Sequence, residues 1–457
     1  MSHHPHLPVI KLLLRFALAT AASLPGLPAA SASVPAGTAP APGQPRHRSA
    51  IVGHNGMPKD IVSPGNRWNF GPGALWTHQG WQYAAYWDDA RQVSVARRQL
   101  PTGAWAVVSL PGYQRTATGD RGKGGPASRG FGDGHEKVAL GISPDGVIHL
   151  SFDHHLSTLR YRTSTQPVAA NPAAHVWSAD LFGPVRDNLG GPRLASVTYP
   201  SFTSDGTHFV LYLRLGGGSG NANSHFFSYD AGRWTVNTEA ASQFIDRTWS
   251  QGDRTVNAYL HGPVFHQGRR HLTWCWRDTP DASSCHDLCY AYSDDDGLTW
   301  RNNAGQIIGV TGSRFITADS PGVSVWPIPP GTRYVNGGSM AVDAAGRVHV
   351  LVRGEDGSPA HFQRDPLTRE WTRHRSPFLG HLLPGTDDQL FLVTEEGLHL
   401  TSASRFGAMT TLATVSAAPF RDSSMGIDKR RAAHDGWVSV IGQQGKTITV
   451  VDYWLGR

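Results

Sequence analysis

The stretch "GDGHEKVALGISPDGVIHLSFDHH", residues 132–155, decides the fold. Two runs rich in β-branched and aromatic types, "KVALGI" and "VIHLSF", flank a Ser-Pro-Asp-Gly turn. That pattern predicts a β-hairpin with Asp145-Gly146 at its tip. Counting outward in equal steps sets His135 opposite His155, within one residue, and such pairs sit about 5 Å apart. Two imidazoles are therefore expected side by side at the open end of the hairpin, with His154 next to the second.

The returning strand is one copy of a repeat. Glycine followed by an alternating apolar strand appears as "GWQYAAYW" at Gly80, "GVIHLSFD" at Gly146, "GTHFVLYLR" at Gly206 and "GRRHLTWCW" at Gly268. It continues as "GRVHVLVRG" at Gly346, "GLHLTSAS" at Gly397 and "GKTITVVDYW" at Gly445, seven units in all. Several units close on a turn and an aromatic residue, as in "PTGAW", "DAGRW", "DGLTW" and "LTREW". Leucine-rich helical periodicity is scarce. The expectation is an all-β chain, a seven-bladed β-propeller of four-stranded antiparallel blades. "SDDDGLTW", Ser293 to Trp300, fits the Asp-box of sialidase-like propellers, a marker of a blade hairpin away from the chemistry. His149, His271 and His349 recur at equivalent strand positions and read as structural residues.

Around this core the chain divides simply. Lys11 and Arg15 flank the apolar run "FALATAASLPGL", and "ASA" ends at Ala32, so residues 1–32 read as an export signal. Residues 33–49 form a Pro/Ala-rich linker, and 50–457 the propeller catalytic domain. No later stretch reaches the eighteen or so uninterrupted apolar residues of a membrane span. A secreted or periplasmic monomer is expected, with no membrane partner once the signal is removed. The formal charge of +6 suits a polyanionic partner, and for an exported β-propeller an acidic polysaccharide fits better than nucleic acid.

Cys275, Cys285 and Cys289 cluster within fifteen positions, together with His286. In an exported protein the default is one disulfide with one cysteine spare. The alternative is a structural zinc site built from these cysteines and His286, although C-x9-CH-x2-C matches no standard finger.

A second constellation follows the histidine hairpin: "TYPSFTSDGTHFVLYLRLGGGSGNAN", with Tyr199 before a turn and Arg214 late in the returning strand. Simple counting puts Arg214 about three residues beyond Tyr199's partner, roughly 10 Å along the strand. A guanidinium can close most of that gap. The bulk-free "GGGSGN" after it reads as backbone leaving room for a ligand.

The order "GDGH", "DHH" with "LRYR", "TYPSF", then "YLRLGGGSGN" resembles the seven-bladed propeller ulvan lyases and their BNR-repeat relatives. "CHDLCYAYSDDDGLTW" and "GGSMAVDAAGRVHVLVRG" extend the likeness over most of the chain after the signal. The resemblance implies acid/base catalysis by a histidine and a tyrosine, with an arginine and a second histidine engaging a uronate. By motif these fall on His135, Tyr199, Arg214 and His155, with His154 beside them for substrate binding. Glu136 stands where the resemblance implies an amide.

The chemistry asks for these types. A uronate lyase removes the C5 proton, which is hardly acidic while the neighbouring carboxylate is fully anionic. Arg214 offers a planar fork matched to a carboxylate, and His155 can share the task. One of His135 and Tyr199 then takes the C5 proton, and the other donates to the departing O4. No cofactor is required. The other classes weighed are a glycoside hydrolase on the same scaffold, acting on rhamnosyl-glucuronate, and a non-catalytic carbohydrate-binding propeller.

Overall fold

Gly146 has φ +89°, and a Cβ there would lie 2.4 Å from the Ala170 backbone nitrogen, so only glycine closes this turn. Ser143 and Val147 bracket it with a backbone hydrogen bond of 3.1 Å, and Val138–Ile142 then pairs antiparallel with Ile148–Phe152. The structure is a computed structural model describing residues 39–41, 44–58, 68–70, 73–115, 135–250 and 254–456. The expected export signal, part of the expected linker and Gly132–Gly134 ahead of His135 lie outside the described residues.

The chain is an all-β propeller of antiparallel blades. Sheets follow one another in chain order and pack against their neighbours, as Leu75–His78 does on Val138–Ile142 and Gly338–Val342 on His381–Pro384. Apolar clusters fill the layers between adjacent sheets, so the core is a ring of layers. Four sheets have four strands, and two more gain extra strands to reach six and seven, giving six blades of four or more strands in place of the seven expected. The Gly146 unit falls short: Tyr161–Thr163 is its third and outermost strand. Beyond it the chain touches only through isolated bridges, Tyr161 with Arg186 and Ser164 with Phe182. That segment carries Pro167, Pro172, Pro184 and Pro192, which have no amide hydrogen for a continuous ladder.

The ring closes by pairing the first strand, His47–Gly53, with the last, Thr447–Trp454. The strand begins three residues inside the expected linker. Asp452, 1% exposed, anchors the closure: Arg98 Nη2 reaches it at 2.9 Å, Arg431 Nη1 at 2.6 Å and Arg48 Nε at 3.1 Å. Burial alone would raise this carboxyl, but the charges of Arg98, Arg431 and Arg48 outweigh it and hold it at about 2. No helix among the described residues is long and apolar enough to cross a membrane.

The recurring histidines belong to this framework. His149 Nδ1 meets Tyr161 Oη at 2.6 Å, His271 Nδ1 meets Tyr290 Oη at 2.9 Å, and His349 Nδ1 meets His361 Nε2 at 3.0 Å, all buried. The Asp-box also folds a hairpin: Asp295 Oδ1 accepts from Ser293 Oγ and Thr299 N, each at 2.8 Å, and Trp300 is fully buried. It lies at the far end of the nine-residue strand Cys285–Ser293 from Cys285, which pairs with Arg277. That is about 25 Å along the strand.

Candidate functional site

Pro200 cannot donate to a ladder, and the strand Val197–Ser204 bulges there. Thr198 pairs with Arg214, and the next pair is Ser201 with Tyr212. The expected offset is absent because the turn is centred later than simple counting assumes, with Ser204 opposite Phe209, and past the bulge Arg214 stands opposite Thr198, the immediate neighbour of Tyr199. On its other side Thr198 pairs with His155, so His155, Thr198 and Arg214 form one row across three strands. His155 joins this row because the chain leaves the hairpin at Asp153, φ +63°.

Four side chains converge. The His135 and His155 ring centres are 5.4 Å apart, and Tyr199 lies 6.0 Å from His135 and 5.9 Å from His155, nearly parallel to the latter at 21°. The guanidinium carbon of Arg214 sits 4.7 Å from the centre of the Tyr199 ring. Arg214 is 3% exposed, and its Nε and Nη1 have no hydrogen-bond partner. Two buried donors of a cation left open in this way are able to take an anion or water. Strain gathers here as well: Asp153, Leu156, Ser196 and Tyr199 have φ of +63°, +65°, +55° and +54°. Left-handed non-glycine residues cost about 1 kcal/mol or more each and concentrate at sites that need a set geometry.

His154 takes no part in this face. It is 1% exposed, and its Nε2 lies 3.0 Å from Ser151 Oγ and its Nδ1 3.2 Å from Ser157 Oγ. Burial, aided by Arg160, lowers it to about 3. The structure thus removes His154 from the expected substrate-facing set and makes it part of the blade.

A buried network supports the cluster from behind. Arg115 donates to the Glu136 carboxylate, and its Nε lies 3.3 Å from Asp153. Tyr113 also donates to Asp153, and Arg160 Nη1 donates to the Asp153 carbonyl at 2.7 Å. Glu136 therefore ties the residue after His135 to Arg115, an anchor the sequence reading did not foresee.

Three further residues of this face were missed. Lys137 Nζ lies 5.7 Å from the Tyr199 ring centre, and burial lowers it to about 8. Tyr259 lies 6.4 Å from Tyr199, shares a 2.7 Å hydrogen bond with Ser219 and sits between Arg214 at 4.4 Å and Arg277 at 5.4 Å. A signal was available, since "LYLRLGG" and "TWCWRDT" place Arg214 and Arg277 alike in successive repeats. Within the glycine run packing demands Gly220, where a Cβ would lie 1.8 Å from the Asp278 carbonyl oxygen, whereas Gly218 faces open space.

The cysteines do not converge with His286. Cys275 and Cys285 share one apolar layer, whereas Cys289 lies in the layer on the opposite face of the sheet. The register slips between Trp274 and Trp276, with Asp287 at φ +54° opposite the slip. His286 is engaged by Asp278 at 3.0 Å and Asp287 at 3.1 Å, which outweigh its burial and raise it to about 9. The expected four-residue zinc set is therefore not assembled.

Fold and cluster together define a β-propeller with a histidine, tyrosine and arginine site where the chain enters two successive blades. Residues 81–377 match the family model described as BNR repeat-containing family member, and the chain belongs to that family. No curated protein sequence matches it. Two solved structures described as a new family of polysaccharide lyase, ulvan lyase, share the fold. One is bound to -[GlcA(1-4)Rha3S]-, at 13% identity and TM-score 0.57 over 88% of this chain and 95% of that one. The other stands at 14% and 0.58 over the same shares. The WD40 domain of Toxoplasma gondii coronin is more distant, at 11% identity and TM-score 0.41 over 92% of this chain and 89% of that one.

Proposed function

We propose that this protein is an exported polysaccharide lyase that cleaves a glycosidic bond to a uronic acid by β-elimination, on an ulvan-like or other rhamnose- and glucuronate-containing polymer. The observation that carries the reading is the buried Arg214 guanidinium, with Nε and Nη1 unpartnered beside His135, His155 and Tyr199. In this reading Arg214 binds the uronate carboxylate with its open donors, and His155 assists. Offsetting the carboxylate charge lets the C5 proton leave as the electron pair moves into a C4–C5 double bond and O4 departs. His135 and Tyr199, 6.0 Å apart, supply the acid and the base between them, one in each role.

A glycoside hydrolase of the two-carboxylate kind would need a pair of carboxylates flanking the scissile bond. Among the described residues both carboxylates behind the cluster, Glu136 and Asp153, are committed to Arg115. The decisive experiment is a screen of uronate-containing polymers for the ultraviolet absorbance of an unsaturated uronate. A rise on at least one of them supports the lyase. Reducing ends released without absorbance favour the hydrolase, and binding with neither signal favours a carbohydrate-binding propeller.

A further inference from the structure

Glu136 and Lys137 are adjacent and oppositely charged, and the fold sends them apart. Glu136 is buried against Arg115, which also faces Asp153. Lys137 turns toward the side occupied by His135, with Nζ 5.7 Å from the Tyr199 ring centre. The nearby carboxylates are spent on arginines, and among the described residues no charged partner offsets the burial of Lys137. Phe70, Tyr86, Trp87 and Gln443, none of them anionic at neutral pH, line the cavity beside it. Arg214 covers the same tyrosine ring from 4.7 Å. The titratable and charged groups described around Tyr199 are thus Lys137, Arg214, His135, His155 and Tyr259.

We infer that Lys137 is a positioning residue of this site, its ammonium stabilising the ionised phenolate of Tyr199 so that this phenol can exchange a proton with substrate near neutral pH. A cation about 6 Å away, at an effective dielectric constant of about 20, moves a phenol midpoint down by one to two pH units. Burial lowers Lys137 itself to about 8, so its charge is present through neutral pH and withdrawn above it. The statement about Tyr199 stands on geometry, and only its catalytic consequence rests on the lyase reading.

The test is a phenolate absorbance titration without substrate. Subtracting the curve of Tyr199→Phe from that of the unaltered protein isolates Tyr199, and the same subtraction is made in Lys137→Gln and Lys137→Arg backgrounds. Buried phenols such as Tyr83 and Tyr161 are pushed up by their burial and cancel in the difference. The expected result is phenol ionisation that begins at lower pH in the unaltered protein than in Lys137→Gln, and a midpoint held at or below the original value in Lys137→Arg, whose charge persists through the titration. One common midpoint in all three backgrounds overturns the inference. If Lys137→Gln does not fold, Lys137→Arg decides, because a rise there overturns it as well. With a cleaved polymer in hand, the acidic limb of kcat/KM should move with the midpoint. A phenol shift with no cleavage of any uronate polymer refutes the lyase reading and leaves the role of Lys137 standing.

Discussion

Replacing Arg214 by methionine should make the protein more stable and nearly inactive at once. The side chain is 3% exposed with two donors unpartnered, and each buried unsatisfied donor costs about 1–3 kcal/mol. Against this stand its contacts over the Tyr199 and Tyr259 rings, at 4.7 and 4.4 Å, worth about 0.5–2 kcal/mol each. Methionine keeps much of the packing and removes the open donors, so the balance favours the variant by about 1–2 kcal/mol, a rise in Tm of a few degrees. Function moves the other way, because losing a bidentate charge-assisted pair with a carboxylate costs about 3–5 kcal/mol, or 10²- to 10³-fold or more in kcat/KM. Lysine at this position should recover little, since it lacks the planar fork. Differential scanning calorimetry and initial rates of unsaturated uronate formation measure the two sides. A lower Tm together with undiminished turnover would refute the assignment of an open anion site.

Other outcomes follow from the same structure. His135→Ala should lower kcat by at least about 100-fold with a smaller change in KM, whereas His155→Ala should raise KM as well; steady-state kinetics on a cleaved polymer separates them. Asp452→Asn should destabilise the ring closure by about 3–5 kcal/mol in denaturant melts, because the buried Arg98 and Arg431 and the half-buried Arg48 lose a counter-charge. In the unaltered protein that contribution is present above the usual carboxyl range and fades as pH falls toward about 2. Burial holds His149, His154, His225 and His271 at about 3, so the unfolded chain takes up protons first as pH drops below the imidazole value of about 6.5. Stability should be fully present above that pH and fall by about 2 kcal/mol per histidine by about pH 5; a Tm independent of pH across this window would contradict it. Metal analysis should find no zinc held by Cys275, Cys285, His286 and Cys289, and one firmly bound equivalent would overturn the separation of Cys289 from the other two.

The legible parts were those governed by local pattern. The β-branched and aromatic runs flanking the Ser-Pro-Asp-Gly turn identified the hairpin, and equal counting from its tip pointed His135 at His155, whose ring centres lie 5.4 Å apart although the ladder itself ends at Val138 and Phe152. What depended on distant partners was hidden. The Gly146 unit reads like the other repeats, yet whether a fourth strand joins it is decided by a proline-rich segment downstream. Counting set Tyr199 and Arg214 three residues apart because the wider turn, Ser204 opposite Phe209, is not visible in the sequence, and a register slip opposite Trp274–Trp276 turns Cys289 away from Cys285. Lys137 was visible beside His135, but its direction depends on Glu136 being held by Arg115 from the preceding blade.

The most direct test of the central claim is the structure of the new chain end after cleavage of a uronate polymer, read by nuclear magnetic resonance. The account predicts a vinylic proton at C4 of a uronate unsaturated between C4 and C5, one for each new reducing end, with both signals lost in His135→Ala and Arg214→Ala. New reducing ends that carry only saturated uronate would contradict it.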